Sequence, residues 1–348
     1  MGCMFSNVWI KCPAPVYNRT MVLDVAFMAV PLAEMPTLAR AAEAAGFAGT
    51  WTSETQHDPF LPLTLIAEHT SRLELGTAVA IAFARSPMTL AQTAWDLAAQ
   101  SGGRFRLGLG TQIKAHIERR FGMPWPESPV AQLRELVLAI RAIWKTWQTG
   151  ERLNFRGTYY KLTLMTPFFD PGSIPHPDIP IYLSGVNTGL ARLAGEVADG
   201  FHVHPFHTAG YLRDVVRVAL AEGRGGNALP TVSATAFVVT NDAERQSVRE
   251  QIAFYASTPS YRPVLDHHGW GEVGERLSGL AARGRWGEMG ALIDAEMLDT
   301  FAIEGSLETL GARLRERYAG LLDRVTLYKP FRLEDASAWT LLKRMVTE

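Results

Sequence analysis

The feature that most constrains the fold is a regular alternation of short β-rich runs with helical patterns, repeated eight times from Met21 onward. The third run is apolar on both faces, as in a strand buried within a parallel sheet. Eight strands, each followed by a helix, predict an α/β chain that forms one (β/α)8 TIM barrel over residues 21–348. The predicted strands are Val22–Val30, Ala48–Ser53, Leu73–Phe83, Arg104–Leu109, Ile179–Leu183, Gly200–Val203, Val232–Val239 and Arg324–Tyr328.

Helix signals separate these strands. Gly46 is placed to end an alanine-rich helix, and Ser86 with Pro87 is placed to begin another. A hairpin is predicted around Arg156 and Gly157, and residues 257–305 are predicted to be an inserted helical segment over the active face, before the eighth strand. The predicted helices are Glu34–Ala45, Leu61–His69, Ser86–Gln100, Pro129–Trp147, Thr188–Ala198, Gly210–Ala221, Ala243–Ala256, Ser306–Tyr318 and Leu333–Val346.

The alternative architecture is a doubly wound sheet. Such a sheet is expected to carry a glycine-rich fingerprint in its first strand–helix turn, and the turn at residues 30–33 contains no glycine. The barrel is therefore favoured. Residues 1–20 show no clear period and are interpreted as an N-terminal extension.

Composition narrows the functional classes. With 34 basic and 35 acidic residues, the formal net charge is -1, which argues against nucleic-acid or membrane-surface partners and leaves a small-molecule substrate. No apolar run reaches the roughly 18 residues of a membrane helix. The two cysteines, Cys3 and Cys12, exclude a disulfide framework for the fold, which fits a reducing, cytoplasmic environment.

The active site of such a barrel forms from the segments that follow the strands. After strand two, Glu54 and His57 are predicted to point into the barrel mouth as a ring-contacting or proton-handling pair. The alternative is a solvated loop with a helix cap. Arg85, after strand three, either faces the site or closes the barrel rim, whereas Arg119 and Arg120 are interpreted as a solvated helix end.

Two small-residue turns follow the neighbouring strands four and five. Glycine lets a ligand approach the backbone, and the N–H groups of a following helix can bind phosphate. Each turn is a weak signal alone, but together they predict a phosphate cradle. Its candidate residues are Gly110, Thr111 and Gln112 in one turn and Ser184, Gly185, Val186 and Asn187 in the other.

Two histidines follow strand six. His202 and His204 are two residues apart in an extended run, so their side chains face the same way. One interpretation is a metal pair joined by His57 and Asp58, but a catalytic metal usually needs three protein ligands and no clear third is present. We therefore predict polar lining of a coenzyme or substrate pocket, and no metal.

These stretches together resemble the luciferase-like monooxygenase superfamily, and within it the branch of coenzyme F420-dependent oxidoreductases. Each motif is soft, but they occur in order over most of residues 22–205. The matching stretches are Ala41–Gly49, Trp51–His57, Leu75–Val79, Arg85–Ala91, Ser101–Gln112, Ile181–Gly185 and Leu193–Phe201.

The resemblance implies F420, or alternatively FMN, bound at the C-terminal mouth of the barrel of a homodimeric enzyme. It implies a cis non-prolyl peptide bond between Ala78 and Val79 that backs the deazaflavin ring, and an acidic residue, Glu54, beside the ring. The two small-residue turns fall where relatives hold the ribityl-phosphate.

Two departures from the branch bear on the reaction. Thr55 replaces a histidine, and Met28 a glutamate, that sugar-phosphate dehydrogenases of the branch carry. Glucose-6-phosphate oxidation is therefore not expected. We predict hydride transfer from the deazaflavin to a C=N or C=C bond, with protonation by His57, His202 or water. The alternatives are an FMN-dependent monooxygenase, a non-redox metal barrel and a catalytically silent coenzyme binder.

Overall fold

A computed structural model describes residues 3–5, 8–10 and 21–347. Its central feature is a ring of eight parallel strands, in which each strand pairs with the next along the chain and the eighth pairs with the first. The predicted closed barrel is confirmed. The strands, β1 to β8, are Val22–Phe27, Gly49–Thr52, Glu74–Thr77, Phe105–Gly110, Ile181–Gly185, Gly200–Val203, Thr231–Val239 and Arg324–Leu327.

The alternation of side chains along the strands separates an apolar outer face from a polar interior. On β1, Leu23 and Val25 are buried in the apolar core between barrel and helices, while Asp24 between them points inward and is fully buried. Small residues make room for the large inward side chains. A Cβ at Gly76 would lie 2.6 Å from the Trp51 ring, and one at Gly200 would lie 2.2 Å from the Tyr182 ring.

A chain of ion pairs crosses the barrel interior. Arg324 on β8 contacts both carboxylate oxygens of Asp24 on β1, at 2.7 Å from Nε and 2.8 Å from Nη2. Its Nη1 lies 2.7 Å from Glu74 on β3, which also pairs with Arg106 on β4 at 2.8 Å. Trp51 on β2 donates its indole N–H to Asp24 at 2.8 Å. Five strands are thus tied together by charged groups.

Helices surround this barrel. Ser86 accepts the backbone N–H of Thr89 as predicted for an N-cap, and Gly46 ends the first helix with a φ of 83°. A π-helical turn, Leu212–Val216, lies between the short helix Ala209–Tyr211 and the sixth outer helix. The outer helices in the described part of the chain are Met35–Ala45, Leu61–His69, Pro87–Gln100, Pro129–Thr149, Thr188–Val197, Arg217–Arg224, Leu307–Tyr318 and Ala336–Thr347.

Two tryptophans of the long fourth helix pack between helices. Trp144 donates its indole N–H to the Ala91 carbonyl at 3.1 Å, and the Trp147 ring lies 5.6 Å from that of Trp95. Both are buried. They hold the outer ring together and do not line the barrel mouth.

Two predicted elements differ in the structure. Leu73–Phe83 is not one strand, because pairing stops after β3 and resumes only at Ala80–Ile81, and a 3-10 turn follows at Ala82–Ala84. The predicted hairpin is present, but Arg156 lies in its first strand: Phe155–Arg156 is antiparallel to Lys161–Leu162, and residues 157–160 form the turn.

The insertion before β8 begins earlier than predicted. The last residues of β7 extend beyond β6 and β8 and pair with a short strand, Ala302–Glu304. Helix Asp242–Ala256, predicted as the outer helix after strand seven, packs instead on the 3-10 segment Trp286–Leu292 of the insertion. Leu307–Tyr318 takes its place against the last helix of the ring.

Most of the predicted N-terminal extension lies outside the described residues. Within it, Cys3–Phe5 pairs antiparallel with Val8–Ile10. In residues 21–347 and these two strands, no helix is long and apolar enough to cross a membrane.

The ion-pair chain predicts a large stability difference between two Arg→Met substitutions. Arg324→Met leaves Asp24 buried without its partner, and we expect it to lower the free energy of unfolding by about 3–5 kcal/mol. Arg134→Met removes an exposed pair with Glu196, and we expect about 1 kcal/mol or less. Urea unfolding measures both. Equal losses for the two variants would show that the interior pair is not a main determinant of barrel stability.

Candidate active site

A cavity of about 590 Å³ lies at the C-terminal ends of the barrel strands. Its position follows from the strand alternation, because the inward-facing residue at or just beyond each strand end contributes to the wall. In barrel order these wall residues are Met28, Ser53, Ala78, Gly110, Ser184, His204 and Tyr328, and β7, which continues past its neighbours, contributes Thr235 from the middle of the strand.

The wall next to β3 contains the Ala78–Val79 peptide bond, which is cis, as the resemblance implied. Both residues line the cavity. The Ala78 N–H donates to the Thr52 carbonyl at 2.7 Å, and the Glu54 N–H donates to the Val79 carbonyl at 3.3 Å. A Cβ at Gly110 would lie 2.6 Å from the Val79 side chain, so glycine lets β4 approach this segment closely.

Glu54 lines the same side of the cavity and is held by two donors. Its Oε2 accepts from the Ile81 N–H at 2.7 Å and from Arg85 Nη1 at 2.6 Å. Arg85 also reaches Asp58 at 3.1 Å and lies over the Phe60 ring. Arg85 thus closes the rim and compensates the charge of Glu54, which makes this carboxylate a fixed acceptor.

His57 is exposed and does not line the cavity, so the predicted orientation into the barrel mouth is wrong. The reason is the next residue. Asp58 accepts the backbone N–H groups of Phe60 and Leu61, at 2.8 and 3.1 Å, and begins helix Leu61–His69. This part of the loop has the helix-cap structure that was the alternative interpretation. Arg120, predicted to be solvated, donates to the Thr55 carbonyl.

The two small-residue turns lie side by side on the cavity wall with adjacent helix N-termini. Helix Thr188–Val197 follows Asn187, and helix Pro129–Thr149 follows Ser128; neither of these preceding residues caps its helix with a side-chain hydrogen bond. Both helices begin at the cavity. A Cβ at Gly189 would lie 3.6 Å from Val130, so the two helix starts are in contact. Two positive dipole ends therefore converge on the two turns, with Lys114 on the same wall. The predicted turn residues, Gly110, Thr111, Gln112, Ser184, Gly185, Val186 and Asn187, all line the cavity.

His202 forms part of the cavity floor. Its ring lies 4.7 Å from Trp51 and 4.9 Å from Tyr182, and its Nδ1 hydrogen-bonds with the Ser233 hydroxyl. Burial lowers the pKa of His202 to about 3, and the nearby Arg324 acts in the same direction. The imidazole is therefore neutral at physiological pH.

His204 also lines the cavity, on the same side of the strand as His202, as the spacing predicted. Burial, followed by the neighbouring His207, lowers the pKa of His204 to about 3. The other two members of the considered metal set are elsewhere, since His57 is exposed and Asp58 is bound to Arg85. Within the described residues no three metal-ligating side chains come together.

Three tyrosines on the cavity wall were not singled out by sequence reasoning. Tyr328 directly follows β8, and the inward alternation of that strand could have identified it. Tyr255 and Tyr261 come from the insertion. Tyr255 lies on the helix that was assigned to the outer ring, and Tyr261 lies in the predicted insertion, where no pattern singles out one residue.

Comparison with known proteins places the chain among luciferase-like proteins. The family model described as luciferase-like monooxygenase matches residues 14–324. An uncharacterized protein of Mycobacterium tuberculosis (strain H37Rv) is 49% identical over 304 residues, or 83% of this chain and 89% of the relative. The 5,10-methylenetetrahydromethanopterin reductase of Archaeoglobus fulgidus is 29% identical over 296 residues, or 81% and 85% of the two chains.

Solved structures agree on the fold. The coenzyme F420-dependent tetrahydromethanopterin reductase from Methanopyrus kandleri superposes with a TM-score of 0.78 at 22% identity, covering 94% of this chain and 99% of that one. The oxygenating constituent of 3,6-diketocamphane monooxygenase from Pseudomonas putida, in complex with FMN, has a TM-score of 0.63 at 18% identity, with coverages of 94% and 98%. At these identities the likeness concerns the fold alone.

The buried histidines predict acid sensitivity, and His207 offers the cleanest test because it lies outside the cavity wall. Its ring nitrogens bond the His204 carbonyl and the Tyr318 hydroxyl, and burial lowers its pKa from 6.5 to about 4. Between about pH 6.5 and about pH 4, this histidine is protonated in the unfolded chain and neutral in the native one. The free energy of unfolding therefore decreases as the pH falls through this range. From pH 7 to pH 5 the expected contribution is about 2 kcal/mol.

Urea unfolding of a His207→Gln variant at several pH values measures this contribution. We expect the pH slope to decrease by about one proton. Phe206→Leu is the control, since it disturbs the same segment without removing a titratable group, and its slope should match that of the unmodified protein. An unchanged slope in His207→Gln would contradict the assignment.

Proposed function

The chain belongs to the luciferase-like monooxygenase family, and from that premise we propose that it is a coenzyme F420-dependent oxidoreductase acting on a small organic substrate. The observation that carries the proposal is the division of the cavity wall. One end has two converging helix N-termini, Lys114 and glycine-containing turns, and the other has the cis peptide bond with Glu54. The coenzyme F420-dependent reductase that has the same fold supports the choice of coenzyme.

The residues present fit such a coenzyme. The helix N–H groups at residues 188 and 189 have no side-chain cap and suit a phosphate, with Lys114 as counter-charge. Ser53 Oγ is buried in the wall without a hydrogen-bond partner among the described residues, and so offers a donor to a polar ring edge. Ala78 and Val79 would support one face of the ring, and Glu54 would lie beside it.

When bound in its reduced form, the coenzyme supplies a hydride from C5 of the deazaflavin. The protein orients the ring against Ala78 and Val79, holds the phosphate in the two turns, and keeps water from the reacting face. We propose reduction of a C=N or C=C bond. Neutral His202 would act as a hydrogen-bonding group of the floor, and with His57 outside the cavity the proton would come from water at the mouth or from a wall hydroxyl.

The alternative coenzyme is FMN, in an oxygen-consuming monooxygenase. The FMN-bound neighbour with the same fold is the observation that favours it. An assay without oxygen distinguishes the two coenzymes. An FMN-dependent monooxygenase would be inactive without oxygen, whereas an F420-dependent reductase would stay active. The homodimer and the cytoplasmic location stay predictions.

Side-by-side spectral titrations with F420, FMN and riboflavin test the coenzyme site. We expect F420 to bind more tightly than FMN. We also expect Lys114→Gln to weaken F420 and FMN binding about 3- to 10-fold while leaving riboflavin unchanged, because riboflavin lacks the phosphate. Lys145→Gln, on an exposed pair with Glu151, is the matched control and should change nothing. Equal weakening of FMN and riboflavin would contradict the placement of the phosphate, and absence of F420 binding would contradict the proposed function.

A further inference from the structure

The cavity wall opposite the cis peptide bond is aromatic. In an eight-strand ring β7 lies opposite β3, and the strand ends around β7 carry His204 on one side and Tyr328 on the other. Because β7 extends past its neighbours, helix Asp242–Ala256 returns toward the mouth and places Tyr255 between them. A planar ring held at the β3 side therefore turns its free face toward this group.

The rings of this aromatic wall (His204, Tyr255, Tyr261 and Tyr328) support one another. His204 lies 4.9 Å from Tyr255, edge to face, and 4.7 Å from Tyr261. Phe206 and Phe237 pack behind them, with ring centroids 6.3 Å from Tyr261 and 4.8 Å from Tyr328 respectively. Rings fixed by packing lose little entropy when a flat ligand stacks on them.

The wall offers a hydrogen bond without a charge. The Tyr255 and Tyr328 hydroxyls lie 3.3 Å apart, so one donates to the other and one hydroxyl hydrogen is left for a ligand acceptor. Burial, reinforced by Tyr328, raises the pKa of Tyr255, and burial raises that of Tyr261. Both phenols are therefore neutral at physiological pH.

Formal charge is confined to the opposite side of the cavity. Among the described lining residues, only Glu54 and Lys114 carry one, and both lie on the proposed coenzyme side. Glu54 is compensated by Arg85, and His202 and His204 are neutral. An anionic substrate placed against the aromatic wall would lose its hydration without gaining a cation, which is costly.

We infer that the aromatic wall selects an uncharged, planar, conjugated substrate with one hydrogen-bond acceptor, such as a carbonyl or ring nitrogen, and excludes phosphorylated or carboxylated compounds. Tyr261 and His204 would stack on the substrate, and the Tyr255–Tyr328 pair would bind its acceptor. The inference rests on the proposed function, since it assigns the rest of the cavity to the coenzyme.

Three matched probes test the inference by calorimetric binding, with and without saturating F420. Acetophenone is planar and neutral, 1-cyclohexylethanone carries the same carbonyl on a non-planar ring, and 4-acetylbenzoate adds a negative charge. We expect acetophenone to bind about 3- to 10-fold more tightly than either of the others. Equal or tighter binding of 4-acetylbenzoate, or no binding by any of the three, overturns the inference.

Two variants separate the acceptor site from general packing. Tyr255→Phe combined with Tyr328→Phe keeps both rings and removes both hydroxyls, so we expect this double variant to weaken acetophenone binding about 3- to 10-fold without affecting ethylbenzene, which has no acceptor. Tyr159→Phe, outside the cavity, is the control. Thermal melts establish that both variants are folded. Equal weakening of acetophenone and ethylbenzene binding by the double variant would overturn the hydroxyl assignment.

The same data distinguish this inference from the proposed function. If F420 does not bind but the coenzyme-free protein binds the probes in the expected order, the coenzyme assignment is wrong and the inference about the aromatic wall is supported. If F420 binds and the probe ranking is absent, the proposed function stands and the wall inference fails.

Discussion

The structure depends on the contact of Arg324 with Asp24 at the seam where the last barrel strand meets the first. Burial alone would lower the pKa of Arg324, but the Asp24 and Glu74 carboxylates outweigh it and raise the pKa well above its usual range. Because buried charges are tolerated only when paired and hydrogen-bonded, the seam fixes the registers of β8, β1 and β3 relative to one another. The indole N–H of Trp51 adds β2 to the same arrangement.

This polar interior has a consequence for the site above it. The rings of Trp51 and Tyr182, held by the charged layer and by the glycines beside them, form a platform on which His202 rests. Removed from water and close to Arg324, that imidazole stays neutral. The floor of the cavity is thus buried and uncharged, although charged groups lie directly below it.

The barrel was predictable because each strand and helix carried its own signal, and the two small-residue turns on the cavity wall were predictable because glycines follow neighbouring strands. An insertion before the eighth strand was predicted as well, but its start was not. Whether Asp242–Ala256 joins the outer ring depends on how far β7 extends, and that depends on its pairing with Ala302–Glu304, about 65 residues further along the chain. His57 was misplaced for a related reason, since the hydrogen bonds of Asp58 decide where the loop turns. The cis bond came from resemblance, as no local pattern in Ala78–Val79 indicates it.

The distribution of charge around the cavity fits the chemistry that we propose for it. Hydride transfer moves negative charge across a short distance, so it benefits from a site that excludes water from the reacting face. Here the helix dipoles and Lys114 lie at the phosphate end, and Arg85 neutralises Glu54 at the rim. The rest of the cavity wall is uncharged: the backbone of Ala78 and Val79 forms one side, and neutral aromatic rings form the other. A substrate between these walls would contact the reduced coenzyme with no charged side chain beside it. The orientation of the substrate against the coenzyme ring would then determine which bond is reduced.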